Sequence, residues 1–178
     1  AEARLLALMD EYGIVDLEPL AQEIYHRSRQ LMEQAITQKL QPGIYKHEVH
    51  GDGASDEEPI TIRCAVHVGN NTVRVEYEGT TPQVSKALNV VPTYTFAYTA
   101  YAIKCLLCPD LPNNEGCFRP IEVTAPEGSI LNPRFPASVG ARALTGHLLP
   151  EVVMGALAES LPDAVLAPSS SPMWGMNL

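Results

Sequence analysis

Apolar positions along the chain fall into two periods. Leu5, Leu8, Met9 and Tyr12 stand at i, i+3, i+4 and i+7, one face of a helix that Gly13 can close in the left-handed conformation. Asp16 is an N-cap candidate for a second helix, with Pro19 inside its first turn, where a missing N–H costs nothing. Leu17, Leu20, Ala21, Ile24, Leu31 and Ala35 form its stripe to about Leu40, Glu23, Arg27, Gln30, Glu33 and Gln34 face water, and Pro42-Gly43 ends it. The two predict an N-terminal helical hairpin packed against a larger body. The period then drops to two. Ile44–Val49 reads as a strand, and Gly51–Glu58 as an acidic, Gly-bearing loop, either a solvated connection or a weak cation site. Strict alternation through Ile60, Ile62, Cys64, Val66 and Val68, then Val73, Val75 and Tyr77, around Gly69-Asn70-Asn71, predicts an antiparallel hairpin with one buried face. Thr61, Arg63, Arg74, Glu76 and Glu78 point the other way, toward solvent or a partner domain.

Beyond the hairpin, Glu78–Gln83 is a turn or a small polar loop near a ligand. Asn89, set among apolar residues, either clamps backbone or reaches a ligand, because an unpaired buried amide costs roughly 1–3 kcal/mol. From Tyr94 to Leu107, after Thr93 as a cap, apolar residues occupy more than one side, as in a central, buried, Tyr-rich helix whose tyrosine stripe reads as core. Cys108–Pro112 ends it. A Pro/Gly-laced ribbon follows from Asn113 to His147, held mostly in turns because Pro fixes φ and Gly permits positive φ. Within it Ile121, Val123 and Ala125 alternate as a short strand, and Asn114, Arg119, Asn132, Arg142, Thr145 and His147 are its polar cargo. Pro150–Leu161 reads as a helix stopped by Pro162. The whole predicts a single α+β domain over residues 1–178: an antiparallel β-hairpin and sheet, a buried Tyr-rich helix and an N-terminal helical hairpin.

Composition narrows the function classes. An apolar fraction of 46% and a charged fraction of 19% are those of a soluble globular protein. The net charge of −9 argues against nucleic acid and against anionic membrane surfaces. No apolar run approaches the ~20 residues of a membrane span. Four cysteines without other signs of secretion point to a reduced cytosol and a cytoplasmic protein. The chain lacks an initiator Met, opens within a helical pattern and ends on an apolar segment, which reads as a piece of a longer polypeptide.

Three spaced motifs carry a family resemblance. They are Asn114-x-Gly116-Cys117-x-Arg119-Pro120-Ile121, Pro126-Glu127-Gly128-Ser129-x-Leu131-Asn132-Pro133 and Pro136-Ala137-x-Val139-x-Ala141-Arg142. With Glu11-Tyr12-Gly13, Glu78–Gln83 and Asn89, they resemble the hydantoinase B/oxoprolinase family over nearly the whole chain. The resemblance implies the large subunit of an ATP-dependent N-methylhydantoinase, 5-oxoprolinase or acetone carboxylase. Such an enzyme uses ATP and a divalent metal in the full complex, beside a hydantoinase A-type partner and a small-molecule substrate. Neither ATP nor metal is expected to bind through this piece, which has no Walker loop and no counterpart of the family's His/Asp motifs. The piece is expected to wall a substrate cavity and to be inactive alone.

Candidate substrate-binding residues are Arg142, Asn114, Asn89, Thr145 and His147. Arg142 offers a planar fork suited to a carboxylate or phosphate, or else pins loops through carbonyls. Its small neighbours Gly140, Ala141, Ala143 and Gly146 leave room for a ligand. Cys105-x-x-Cys108 has half the ligands of a zinc site and sits at a helix C-terminus, which favours ordinary cysteines. Cys117 is a possible nucleophile for a free-standing hydrolase. The reading from another class is a non-catalytic assembly module whose polar sheet face and Pro-rich loops dock a partner.

Overall fold

The computed structural model describes residues 2–53 and 59–168. Its elements are α1 (Glu2–Tyr12), α2 (Glu18–Lys39), β1 (Gly43–Gly51), β2 (Ile60–Val68), β3 (Val73–Glu76) and α3 (Pro92–Leu107). Then come α4 (Glu115–Phe118), β4 (Ile121–Thr124), α5 (Arg142–Gly146) and α6 (Leu148–Leu157). The expected α+β class holds. The acidic part of the loop before β2, residues 54–58, and with it the cation reading, lies outside the described residues.

The sheet has the order β1-β2-β3-β4. Val66 faces Tyr45 on one side and Val75 on the other, both antiparallel. β4 adds to β3 in parallel, Val73 beside Ile121 and Val75 beside Val123, so the sheet is mixed. The reason is the connection: α3 lies between the two strands, and a helical crossover returns the chain in the same direction. Beyond Glu76, side chains continue the pairing. The Arg63 N–H donates to Thr80 Oγ1 at 3.0 Å and the Thr61 N–H to Thr81 Oγ1 at 2.8 Å. Glu78 and Gly79 form the expected turn, with Gly79 at φ 78°, and Thr80 and Thr81 reach back to β2 through their side chains.

One face of the sheet is apolar and covered by α6 and α3. Ile62, Cys64, Val66, Val73, Val75 and Tyr77 are buried there, and the Cys64 thiol donates to the Val152 carbonyl of α6 at 3.4 Å. The other face is a charged lattice. Arg63 Nε donates to Glu48 at 2.7 Å, His67 meets Glu76 at 2.9 Å, and Arg74 meets the same carboxylate at 3.0 Å.

Two faces differ from the expected ones. In α2 the buried residues are Ser28, Met32, Ala35 and Ile36, whereas Leu20, Ile24 and Leu31 are exposed. In α3 the buried side is Thr95, Thr99, Ala100, Ala102, Ile103 and Leu107, and the tyrosines lie outside it. Thr99 takes the polar role in the core, 2.6 Å from the Tyr77 hydroxyl. α3 starts one residue before Thr93, with Pro92 in the first turn and Val91 at the cap. α6 starts at Leu148, ahead of Pro150, and ends at Leu157, short of Pro162.

Candidate functional site

The organising ribbon is held by backbone and amide contacts. Gly116 lies against the Tyr25 backbone of α2, where a Cβ would overlap the Tyr25 carbonyl group. Asn114 holds the N-cap position of α4 without a side-chain capping bond; its Nδ2 instead donates to Ser28 Oγ at 2.8 Å and to the Pro112 carbonyl at 3.0 Å. Its Oδ1 is buried without a partner among the described residues. Gly128 turns the next motif at φ 84°, and the Asn132 amide closes the loop onto Ala125 at 2.9 Å. Ile130 and Leu131 go from that loop into the core.

Asn89 is fully buried and its amide is saturated. Oδ1 accepts from the Val84 N–H at 2.9 Å, and Nδ2 donates to the carbonyls of Val84, Lys86 and Ser138 at 2.8, 3.1 and 2.9 Å. It clamps the 84–89 loop to the segment that leads into α5, where the Ala141 N–H also bonds to the Ala87 carbonyl at 2.8 Å. Of the two roles open to Asn89, the geometry describes the clamp.

Arg142, Thr145 and His147 sit together on α5 and its C-cap. Arg142 is exposed; Nη1 donates to the Val139 carbonyl at 3.1 Å and the guanidinium stands 5.9 Å above the Tyr94 ring. Tyr94 stacks on Tyr98 with centroids 4.4 Å apart, and His147 meets Tyr98 edge-on at 6.1 Å. Burial first, then the Tyr98 hydroxyl, pushes the Tyr94 phenol up to about 12. It therefore stays neutral at physiological pH. Thr145 is buried and its hydroxyl has no partner among the described residues. The room expected beside Gly146 is taken by the Tyr94 ring, against which a Cβ there would collide. Asn114, on the α2–α4 seam, shares no hydrogen bond and no cavity lining with these three.

His147 also opens onto a hollow of about 730 Å³ between α6, β1, the C-terminal end of α3 and the segment 164–168. That volume is in the range of small-molecule sites. Its wall is mostly apolar, through Leu106, Met154, Val165 and Leu166, with His47, Cys105, His147 and Glu151 as polar positions. His47 is the residue that sequence reasoning passed over. Strand alternation puts it on the side of Tyr45 and Val49, and its ring lies against Gly155, where a side chain would displace it.

Cysteine chemistry gains no support from the geometry. Cys117 is buried, and its thiol donates to the Asn114 carbonyl at 2.9 Å. Cys105 and Cys108 are half-buried at the end of α3 and unbonded to each other. Among the described residues no three His, Cys, Asp or Glu side chains come together to hold a metal, so these residues do not fit the ion that the resemblance implies. Among them, too, no helix is long and apolar enough to cross a membrane.

Comparison with known proteins agrees with this architecture. The chain is 32% identical over 171 residues to an uncharacterised protein of Methanocaldococcus jannaschii, covering 96% of this chain and 30% of that protein. It is 31% identical over 176 residues to a putative D-/L-hydantoinase B-type subunit of Pseudomonas sp. strain NS671, covering 92% and 30%. The 5-oxoprolinase of Saccharomyces cerevisiae is 31% identical over 104 residues, 58% of this chain and 8% of that one. The ATP-dependent caprolactamase of Pseudomonas jessenii superposes with a TM-score of 0.80 at 20% identity, over 92% of this chain and 28% of that one. This chain therefore spans under a third of the length of the first two curated relatives. The model of the family described as hydantoinase B/oxoprolinase matches residues 1–178, so the chain belongs to that family.

Proposed function

We propose that this chain is part of the B-type subunit of an ATP-dependent cyclic-amide hydrolase or a related ketone carboxylase, and that it supplies scaffold and one wall of the substrate cavity. The observation that carries the reading is the hollow of about 730 Å³ in a chain of this family, apolar except where His47, Cys105, His147 and Glu151 enter it. Such a wall suits a small, largely apolar molecule with one polar end. His147 is the group placed to hydrogen-bond that end. Arg142, at the start of the same short helix, is exposed, lies outside the hollow's lining and offers a planar fork suited to an anionic group beside it. Thr145 adds a buried hydroxyl without a hydrogen-bond partner among the described residues. Asn89 acts through the backbone, as a positioning residue, and Asn114 belongs to the α2–α4 seam. ATP and metal chemistry we assign to the rest of the assembly, including a hydantoinase A-type partner, in the cytoplasm.

The test is a full-length complex assayed for ATP-dependent opening of hydantoin and 5-oxoproline and for ketone carboxylation. His147→Ala and Arg142→Ala are expected to lower kcat/KM at least ~10-fold on the substrate that is turned over, with the Tm unchanged within about 2 °C. That loss corresponds to about 1.4 kcal/mol of transition-state binding. Thr145→Val keeps shape and removes the unpaired hydroxyl, so stability should hold or rise while activity falls. Undiminished activity in His147→Ala would remove the cavity from the reaction, and undiminished activity in the other two would remove Arg142 and Thr145. Turnover by the isolated 178-residue chain would contradict its role as one wall. The exposed charged sheet face favours a docking role as well, and full activity in all three variants would leave that as the function.

A further inference from the structure

His147 owes its orientation to α3 more than to its own segment. It stands between α5 and α6, as C-cap of the one and N-cap of the other, and its side chain makes no capping bond. An imidazole without such a bond turns between rotamers unless a neighbour stops it. Tyr98 is that neighbour. Its ring meets the imidazole edge-on, with centroids 6.1 Å apart and planes at 89°. Edge-to-face pairs have a preferred angle, so the contact sets direction as well as distance.

Tyr98 is itself held. Tyr94, one turn earlier on α3, lies parallel to it at 4.4 Å and 9°, and Tyr101 leans on it at 6.5 Å and 55°. Tyr94 in turn is gripped by α5: its ring fills the place of a Cβ at Gly146, and the Arg142 guanidinium stands 5.9 Å from its centroid. Successive residues, Gly146 and His147, thus engage Tyr94 and Tyr98, and the two helices close a clasp. The clasp rests on core. The inward side of α3 is Thr95, Thr99, Ala102 and Ile103, and Thr99 is 2.6 Å from the buried Tyr77 hydroxyl. Among the described residues that line the hollow, His147 is present and Tyr98 is not. Tyr98 therefore bears on a molecule in the hollow only through the imidazole or through the fold.

We infer that Tyr98 is a positioning residue for His147: backed by Tyr94, its ring holds the imidazole toward the hollow, where it would hydrogen-bond the polar end of the substrate. This rests on the reading of the hollow as one wall of the substrate cavity. It adds the residue that pre-sets the imidazole, on a rigid element, so that the ring need not be ordered when substrate binds. The Tyr98 hydroxyl is engaged with the Tyr94 hydroxyl, so the role belongs to the ring.

The experiment uses the full-length complex and whichever of hydantoin, 5-oxoproline or ketone it turns over. Tyr98→Phe keeps the ring and is expected to keep kcat/KM within ~2-fold. Tyr98→Leu is expected to lower it ~10-fold. The double variant Tyr98→Leu/His147→Ala is expected to lose no more than His147→Ala alone, whereas damage to the fold elsewhere would multiply the two losses. The histidine ring resonances of isotope-labelled full-length B-type polypeptide give a readout apart from turnover. The His147 signal, known by its loss in His147→Ala, should move in Tyr98→Leu and stay in Tyr98→Phe. Should Tyr98→Leu not fold, the same measurements are made on Tyr98→Met, which fills space without a ring. Wild-type activity without the ring, losses that multiply, or an unmoved His147 signal overturns the positioning role, and an impaired His147→Ala then leaves the cavity reading standing. His147→Ala at full activity, or a complex that turns over none of the three substrates, overturns the cavity reading and the positioning role with it.

Discussion

Gly116 has no side chain because the Tyr25 backbone fills the place one would need. The ribbon meets α2 there at backbone distance, and the Asn114–Ser28 hydrogen bond fixes the same seam. A methyl group would have to push α4 off α2, since the obstacle is main chain and cannot rotate away. Gly116→Ala should therefore cost about 1–3 kcal/mol, read as a lower urea midpoint with unchanged slope. Asn89 makes the opposite kind of point. Its amide both donates and accepts, and a carboxylate of the same shape can only accept. Asn89→Asp loses both N–H donors, which three carbonyls share, and sets negative charge against those carbonyls. It is expected to destabilise by more than Asn89→Ala, itself about 2–3 kcal/mol. If Asn89→Asp instead kept full stability while activity fell, the amide would be serving a ligand rather than the 84–89 loop. The glycine and the asparagine were both visible as motif residues. Their reasons were not, because each answers to a chain segment distant in sequence.

At the scale of elements, legibility follows how local the determinant is. The β2–β3 hairpin was readable residue by residue, because alternation is set by the pleat and both strands lie within one short stretch. α1 and Gly13 were readable in the same way, by a period and a positive-φ stop. Faces were harder. Leu20, Ile24 and Leu31 look like the core stripe of α2, yet Ser28, Met32 and Ile36 are inside. Ser28 is buried because Asn114, far along the chain, supplies its partner. α3 shows the same effect: Thr95 and Thr99 go inward, each with a hydrogen bond, to Leu131 and to Tyr77. The tyrosines take the other side, where Tyr94 and Tyr98 are half-buried with their rings stacked and Tyr101 is exposed. The direction of β4 was equally non-local, since only the path of α3 decides it. Of the candidate site, the grouping of Arg142, Thr145 and His147 was legible as spacing on one segment, whereas His47 enters from β1 and depends on how α6 packs over the sheet.

For the whole molecule, the balance of charge and burial fixes how stability depends on pH. The chain carries 21 acids against 12 bases, so raising the pH adds negative charge to an already negative body. Two groups inside the core add a separate effect. Burial pushes the Cys64 thiol up to about 12 from an ordinary 9.0. Burial likewise raises Tyr77 above its ordinary 10.0. Below pH 9 both groups are protonated in the folded and unfolded chain alike, and neither affects folding. From pH 9 upward the unfolded thiol ionises while the folded one keeps its proton, so stability falls until the folded thiol also ionises near 12. The slope approaches about 1.4 kcal/mol per pH unit for one such group, and Tyr77 joins from pH 10 in the same direction. Urea midpoints at pH 8, 9, 10 and 11 should fall progressively. In Cys64→Ala the fall between pH 9 and 10 should be shallower, whatever the variant's starting stability. Salt separates the two causes: 0.5 M NaCl screens repulsion among surface carboxylates but leaves the buried thiol untouched. The difference in slope between wild type and Cys64→Ala should therefore survive high salt. Parallel curves for the two proteins would mean that the thiol reaches solvent, and that α6 does not seal the β2 face at Val152.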